Sequence, residues 1–253
     1  MPYLSKILIN PRRRDGQALL SNPHVAHGMI MAGLPDPAAD RPLWRIDADN
    51  PARPQLLALT GSRPDWTHIT EQAGWPDSDA EQVVVRDYAP LLDRLENGRR
   101  YAFRLTASPT QSLKNPLKPS AAQKAVAEAQ NGRHRGHRVA HRTLAQQLGW
   151  FLQRTERWGF TIAETEVGSS IAATETGPSP SEAPETPRNI RIASREIRRF
   201  QKTAGGPTIT VSVATFEGVL VVTDAESLRA TLTAGIGPAK AYGCGLLTLA
   251  PVT

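Results

Sequence analysis

Thr208-Ile-Thr-Val-Ser-Val-Ala-Thr-Phe216 alternates apolar or β-branched residues with small polar ones, and Val219-Leu-Val-Val-Thr223 continues the pattern beyond a Glu-Gly step. A period of two over this length is the signature of a strand. Gly205-Gly-Pro207 supplies a turn just before it, and residues 190–202 read as the strand on the other side of that turn. Downstream, Asp224 suits a helix N-cap, the helix runs to Leu232, and Leu246-Leu-Thr-Leu249 is a terminal strand. Upstream, Leu144, Leu148, Phe151 and Leu152 make the apolar stripe of a helix between Arg142 and Arg154. Thr143 is its N-cap and Gly159 its stop.

The front of the chain repeats this logic. Tyr3-Leu-Ser-Lys-Ile-Leu-Ile9 reads as a strand and Asn10-Pro-Arg-Arg-Arg-Asp-Gly16 as a basic loop. Asn22 caps a helix with Pro23 at its first position, running to about Ala32 before Gly33, Pro35 and Pro37. Leu43–Asp47 and Gln55–Thr60 are strands, Asp65 to Leu95 holds short helical pieces, and Arg100–Ala107 alternates again as a strand. The order strand, helix, strand, strand, helix, strand is that of a ferredoxin-like unit. The expected fold is α+β: tandem ferredoxin-like (RRM-like) domains, antiparallel sheets with helices on one face. The expected boundaries are residues 1–109, a basic linker or loop over 110–136, and residues 137–253. No sequence repeat links the halves, so the tandem rests on element order. Residues 163–187, rich in Pro, Ser, Thr and Glu, are expected to be a disordered insertion.

The 253 residues carry a net charge of +6 with a pI near 9.8, which favours a polyanionic partner over an acidic one. Between Ala163 and Pro187 stand five acidic residues and no Lys or Arg; without those five negative charges the remainder stands at +11 instead of +6. A basic protein with no nucleic-acid role remains possible on charge alone. One cysteine, Cys244, excludes an intramolecular disulfide, and no CxxC pattern occurs. No apolar run reaches the ~18 residues a membrane helix needs, and the strand-like opening lacks a signal peptide's apolar region. The expectation is a soluble, cytoplasmic protein with no membrane partner.

Three features could carry chemistry. Gly235-Ile-Gly-Pro-Ala-Lys-Ala-Tyr-Gly-Cys-Gly245 sets Gly235, Gly237, Gly243 and Gly245 around Lys240. Such a turn can bring backbone N–H groups to a phosphate, or can simply precede an edge strand. His24 and His27 lie three apart on one helical face. An imidazole titrates near pH 6.5 and can take and return a proton at neutral pH, although ordinary helix histidines look the same in sequence. Two basic tracts follow: Arg133 to Arg142, with Arg138 and Arg142, and Arg191, Arg195, Arg198, Arg199 and Lys202 on the later strand. Strand periodicity puts Arg195 and Arg199 on one face, and Arg191 with Arg195 likewise. Both tracts suit an RNA backbone or a solvated face. His134, His137 and His141 have no acidic or thiol neighbour to complete a metal site, so no metal or other cofactor is expected.

The segments Thr215-Phe-Glu-Gly-Val-Leu220, Gly235–Lys240 and Tyr242-Gly-Cys-Gly-Leu-Leu-Thr-Leu-Ala-Pro251 together resemble the CasE family. Tyr3-Leu-Ser-Lys6 and Arg104-Leu-Thr-Ala-Ser-Pro109 are similar to it too. These are the repeat-RNA endoribonucleases of the type I-E Cascade complex. The resemblance implies a catalytic histidine in an Asn-Pro-aromatic-x-x-His pattern, here Asn22-Pro-His-Val-Ala-His27, which makes it His27. His24 stands where the family usually has Tyr, and an assisting role is expected for it. A basic hairpin in the second unit is implied to engage the repeat stem, with a Lys or Arg helping at the cut; Arg198, Arg199 and Lys202 lie in that tract.

What the resemblance implies is a metal-independent endoribonuclease cutting CRISPR repeat hairpins in precursor RNA by 2′-hydroxyl attack. The products would be a 5′-hydroxyl and a 2′,3′-cyclic or 3′-phosphate. The protein would keep the CRISPR RNA hairpin beside other type I-E Cascade subunits. The competing reading is a subunit of a ribonucleoprotein complex that binds the hairpin without cutting. A metal-dependent nuclease would need clustered carboxylates, which the sequence does not offer.

Overall fold

A computed structural model describes residues 1–76, 81–113, 137–165, 188–203 and 205–252, His137 by its backbone alone. The first sheet contains β1 (Tyr3–Leu8), β2 (Leu43–Asp47), β3 (Gln55–Thr60) and β4 (Val83–Asp87) in the order β2-β3-β1-β4, every pair antiparallel. Helices α1 (Arg14–Ser21), α2 (Pro23–Ala32) and α3 (Thr67–Ala73) connect the strands. The basic tract expected as a loop already contains the start of α1. The fourth strand is Val83-Val-Val-Arg-Asp87, inside the region read as helical, and not Arg100–Ala107. Five residues with one clear alternation are too short for periodicity to mark.

After α4 (Ala89–Asp93), the strand Arg100–Ala107, β5, opens the second sheet, pairing with β10 (Ile209–Val222) and β11 (Leu247–Pro251). The expected boundary at residue 109 therefore falls one strand too late. Thr110–Leu113, β6, pairs with β7 (His137–Ala140), so the supposed linker begins as a strand; 114–136 lie outside the described residues. Helix α5 (Leu144–Leu152) and β8 (Phe160–Ile162) follow, and β9 (Ile190–Phe200) forms a long hairpin with β10. Helix α6 (Ala225–Ala234) leads back to β11. The order β11-β5-β10-β8 is again that of a ferredoxin-like unit, with β9 added along β10. Of the expected disordered stretch, Ala163 is buried and Glu164 bridges Arg188, while 166–187 lie outside the described residues.

Local chemistry explains the helix starts. Thr143 and Gln146 form a reciprocal capping box at α5, and the Asp224 carboxylate accepts from the Glu226 and Ser227 N–H groups at α6. Leu144 is 51% exposed, so the α5 stripe that packs is centred on Trp150 and Phe151. Those rings, with Phe103, Phe160, Trp158 and Phe216, build an aromatic core under the second sheet.

Gln-Leu-Leu-Ala-Leu-Thr in β3 is apolar on both faces. Leu56 and Ala58 pack with Leu19, Ala26 and Ile30 of the helices, whereas Leu57 and Leu59 join the core of the second unit. A strand sandwiched in this way has no reason to alternate. The two units thus share a packed interface. Among the described residues no helix is long and apolar enough to cross a membrane.

Candidate functional site

Helix α2 starts at Asn22, whose side chain accepts from the His24 N–H at 3.0 Å, and Pro23 stands at its first position. The helix lies against the short 3-10 turn Lys240–Tyr242 of the glycine-rich segment. His24 and His27 are both partly exposed. Burial pushes the His27 pKa below its ordinary value, and the nearby His24 charge pushes it further in the same direction. His27 Nδ1 is shielded and has no hydrogen-bond partner among the described residues. Any proton exchange with a ligand therefore falls to Nε2.

The β9–β10 hairpin carries the second basic tract, and the strand is irregular. Its register shifts between Thr215 and Phe216, where Ser194 and Ile192 are the partners and Ala193 is the extra residue. A bulge reverses the face of everything beyond it. Arg195 and Arg199 share a face, as expected. Arg191 does not share it: it lies on the opposite face and pairs with Glu217 at 2.6 Å. Arg198 donates to the Tyr242 carbonyl at 2.9 Å and to Glu196 at 2.6 Å, so its guanidinium is committed within the protein. Arg199 and Lys202 are exposed and make no ion pair among the described residues. Arg195 donates to the carbonyl of Arg142, which joins the two basic tracts; Arg138 is exposed on β7.

The glycine-rich turn serves packing more than an open cradle. A Cβ at Gly235 would stand 2.5 Å from Leu43, and one at Gly243 2.9 Å from the Trp44 ring and 3.1 Å from Arg198. The N–H groups of Gly235 and Gly245 are taken by the carbonyls of Thr231 and Thr106. Of the four glycines only Gly237 is exposed, so the expected phosphate cradle contracts to the stretch from Gly237 to Lys240. Desolvation lowers the Lys240 pKa, and the charge of nearby Arg41 adds to it. Arg41, exposed and isolated in a Pro-rich loop, offered no periodicity by which sequence reasoning could find it.

Arg45 was missed as well. Its side chain is 2% exposed and spans the two units. It forks onto Asp47 at 2.7 and 2.9 Å and donates to the carbonyls of Arg104 and Leu246 and to the Thr248 hydroxyl. Beside it Arg104 bridges Asp49 and Glu217, and the hydrogen bond from Arg104 holds the Asp49 carboxyl below the usual range. A 630 Å³ cleft opens next to this network, between Pro23, Trp44 and Pro51 of the first unit and Ser194, Arg199 and Thr215 of the hairpin. The signal was a lone arginine in an apolar strand with an aspartate two residues later.

A family model described as CRISPR associated protein matches residues 2–251. The chain is similar to the CRISPR-associated endoribonuclease Cse3 of Thermus thermophilus, 31% identical over a 257-residue alignment covering 98% of this chain and 100% of that protein. It is also similar to the CRISPR system Cascade subunit CasE of Escherichia coli, 27% identical with 99% and 100% covered. Its fold matches Thermus thermophilus Cse3 bound to an RNA representing a pre-cleavage complex, with a TM-score of 0.70, 28% identity and 99% of each chain covered.

Proposed function

The chain belongs to the CasE (Cse3) family of CRISPR-associated proteins, and from that we propose that it is an endoribonuclease that cuts the repeat hairpins of precursor CRISPR RNA and then holds the hairpin within Cascade. The observation that carries the reading is His27: a partly exposed imidazole of depressed pKa, on a helix seated against the glycine-rich turn of the far unit.

The reaction needs no metal. The ribose 2′-oxygen attacks the adjacent phosphorus, the P–O5′ bond breaks, and the products are a 2′,3′-cyclic phosphate, open to hydrolysis to the 3′-phosphate, and a 5′-hydroxyl. A proton must leave the 2′-hydroxyl and another must reach the 5′-oxygen. A histidine with lowered pKa is neutral at neutral pH, the form that accepts, so we assign His27 Nε2 the 2′-hydroxyl proton. His24, on the same helical face, assists with the second transfer. Lys240 with Arg41 supplies positive charge for the phosphorane, while Arg195, Arg199, Lys202, Arg138 and Arg142 hold the stem phosphates. Arg198 keeps the hairpin on the turn.

Gel assays with a cognate hairpin test this. Cleavage should persist in EDTA and vanish when the nucleotide 5′ of the scissile phosphate is 2′-deoxy. His27→Ala should bind with near-parental affinity yet lose about 10²–10⁴-fold in rate, the usual worth of acid–base catalysis. A His27→Ala protein that cuts at the parental rate, or a parent that cuts the 2′-deoxy RNA, ends the proposal. A parent that binds but never cuts would leave a hairpin-binding subunit.

A further inference from the structure

Asn22 does two things with one planar amide. Its Oδ1 accepts from the His24 N–H at 3.0 Å, which caps α2, and its Nδ2 faces the Gln201 carbonyl at 3.4 Å. Gln201 follows the last residue of β9, between the exposed Arg199 and Lys202 on one side and the first helices on the other. The same end of the hairpin is tied to the glycine-rich turn, because the Phe200 ring meets Tyr242 edge-on at 4.8 Å. Strand end, turn and helix start therefore form one contact group.

The choice of residue is informative. Ser, Thr and Asp cap helices about as well as Asn. Asp has no donor, however, and Ser is too short to reach across to a second element. Only an amide can accept from its own helix and donate to a carbonyl beyond it in the same orientation.

We propose that Asn22 is a positioning residue that couples occupancy of the basic β9–β10 hairpin by RNA to the orientation of His24 and His27. This rests on the reading of His27 as a proton-transfer group. Stem phosphates bound by Arg199 and Lys202 fix the strand end, the Gln201 carbonyl fixes Asn22, and Asn22 fixes the first turn of α2. The histidines then meet the ribose only when the hairpin is filled.

The test uses Asn22→Ser, which retains a cap and loses the reach, and Asn22→Ala, which loses both. Asn22→Ser should keep the parental RNA affinity and melt within about 2–4 °C of the parent, while its single-turnover rate falls about fivefold to tenfold, the worth of one net hydrogen bond. Asn22→Ala should be at least as slow and should also melt earlier. Amide exchange across residues 24–27 is the second readout, taken with a bound 2′-deoxy hairpin that cannot be cut. The RNA should slow exchange there in the parent, and much less in Asn22→Ser. Parental rate and parental protection in Asn22→Ser overturn the proposal, as does a slow Asn22→Ser whose protection is unchanged. An affinity loss matching the rate loss also overturns it, since Asn22 would then be an RNA contact. His27→Ala is run alongside: if it cuts freely, the assignment of His27 fails, while the exchange data still decide on the coupling.

Discussion

Replacing Arg45 by alanine should cost a large part of the stability of the interface between the units. The guanidinium is 2% exposed and makes five hydrogen bonds, two to Asp47 and one each to the Arg104 carbonyl, the Leu246 carbonyl and the Thr248 hydroxyl. Breaking a buried, hydrogen-bonded pair costs about 3–5 kcal/mol, because the partner's desolvation is left without compensation. Two partners recover part of this. Asp47 keeps Arg104 at 3.5 Å, and the Arg104 carbonyl still faces the Thr248 hydroxyl at 3.3 Å. The Leu246 carbonyl loses a donor inside the protein, at about 1–3 kcal/mol. A net loss of about 4 kcal/mol follows, and at roughly 2–4 °C per kcal/mol for a chain of this size the Tm should fall by about 10 °C. Thermal melts of Arg45→Ala and Arg45→Met measure it, the methionine variant restoring volume without donors. Both should melt far below the parent, and both should cut RNA more slowly, because β2 would no longer hold α2 in register with the hairpin. If Arg45→Met melts with the parent, volume and not the hydrogen-bonded fork joins the units, and the reasoning fails.

Other outcomes follow from the same geometry. His24→Gln removes a positive charge that lowers the His27 pKa, so the limb of the pH–rate profile that titrates His27 should move to higher pH. An unmoved limb would mean that the two rings do not interact. Arg199→Ala should leave the melt unchanged and reduce the slope of log affinity against log salt by about one, as one phosphate contact is lost. Arg198→Ala should lower the Tm as well, since it holds the Tyr242 carbonyl and Glu196; equal melts for the two variants would refute that division of labour. Gly243→Ala puts a Cβ at φ +76° and 2.9 Å from Trp44, a combined cost of about 2–4 kcal/mol that a urea titration would show.

Much of the fold was legible because period-two segments and caps are local signals. β1 and the hairpin strand β10 announce themselves by alternation or by β-branched runs, β2 and β3 as short apolar runs on either side of a polar, Pro-containing turn, and Asn22, Thr143 and Asp224 by capping chemistry. What failed was assignment between units. Arg100–Ala107 is a clear strand in sequence, yet which sheet it joins depends on Tyr101, Phe103 and Leu105 packing into the aromatic core of the second unit while Arg104, on the other face, bonds Asp49 of the first. Alternation marks two faces without naming what covers each. The short β4 and the helical start of the Arg-rich tract fell below the length at which periodicity speaks.

The site divides along the same line. His27 was singled out through a motif, and the basic hairpin through charge, because both are linear patterns. The residues that tie these elements together, Asn22 and Arg45 between the units and Arg198 within the second, were unreadable as such, since their partners lie 179, 201 and 44 positions away. Their chemistry nevertheless has a common form. Each donates to a backbone carbonyl of the other element, a contact any sequence at the partner position can supply. Such joints ask for no particular residue type on the far side, and that is why candidate catalytic residues could be listed from the sequence while the parts that bring them together had to be seen. On the proposed reading, with the imidazole on one unit and the phosphate grip on the other, cleavage depends on those joints as much as on the imidazole.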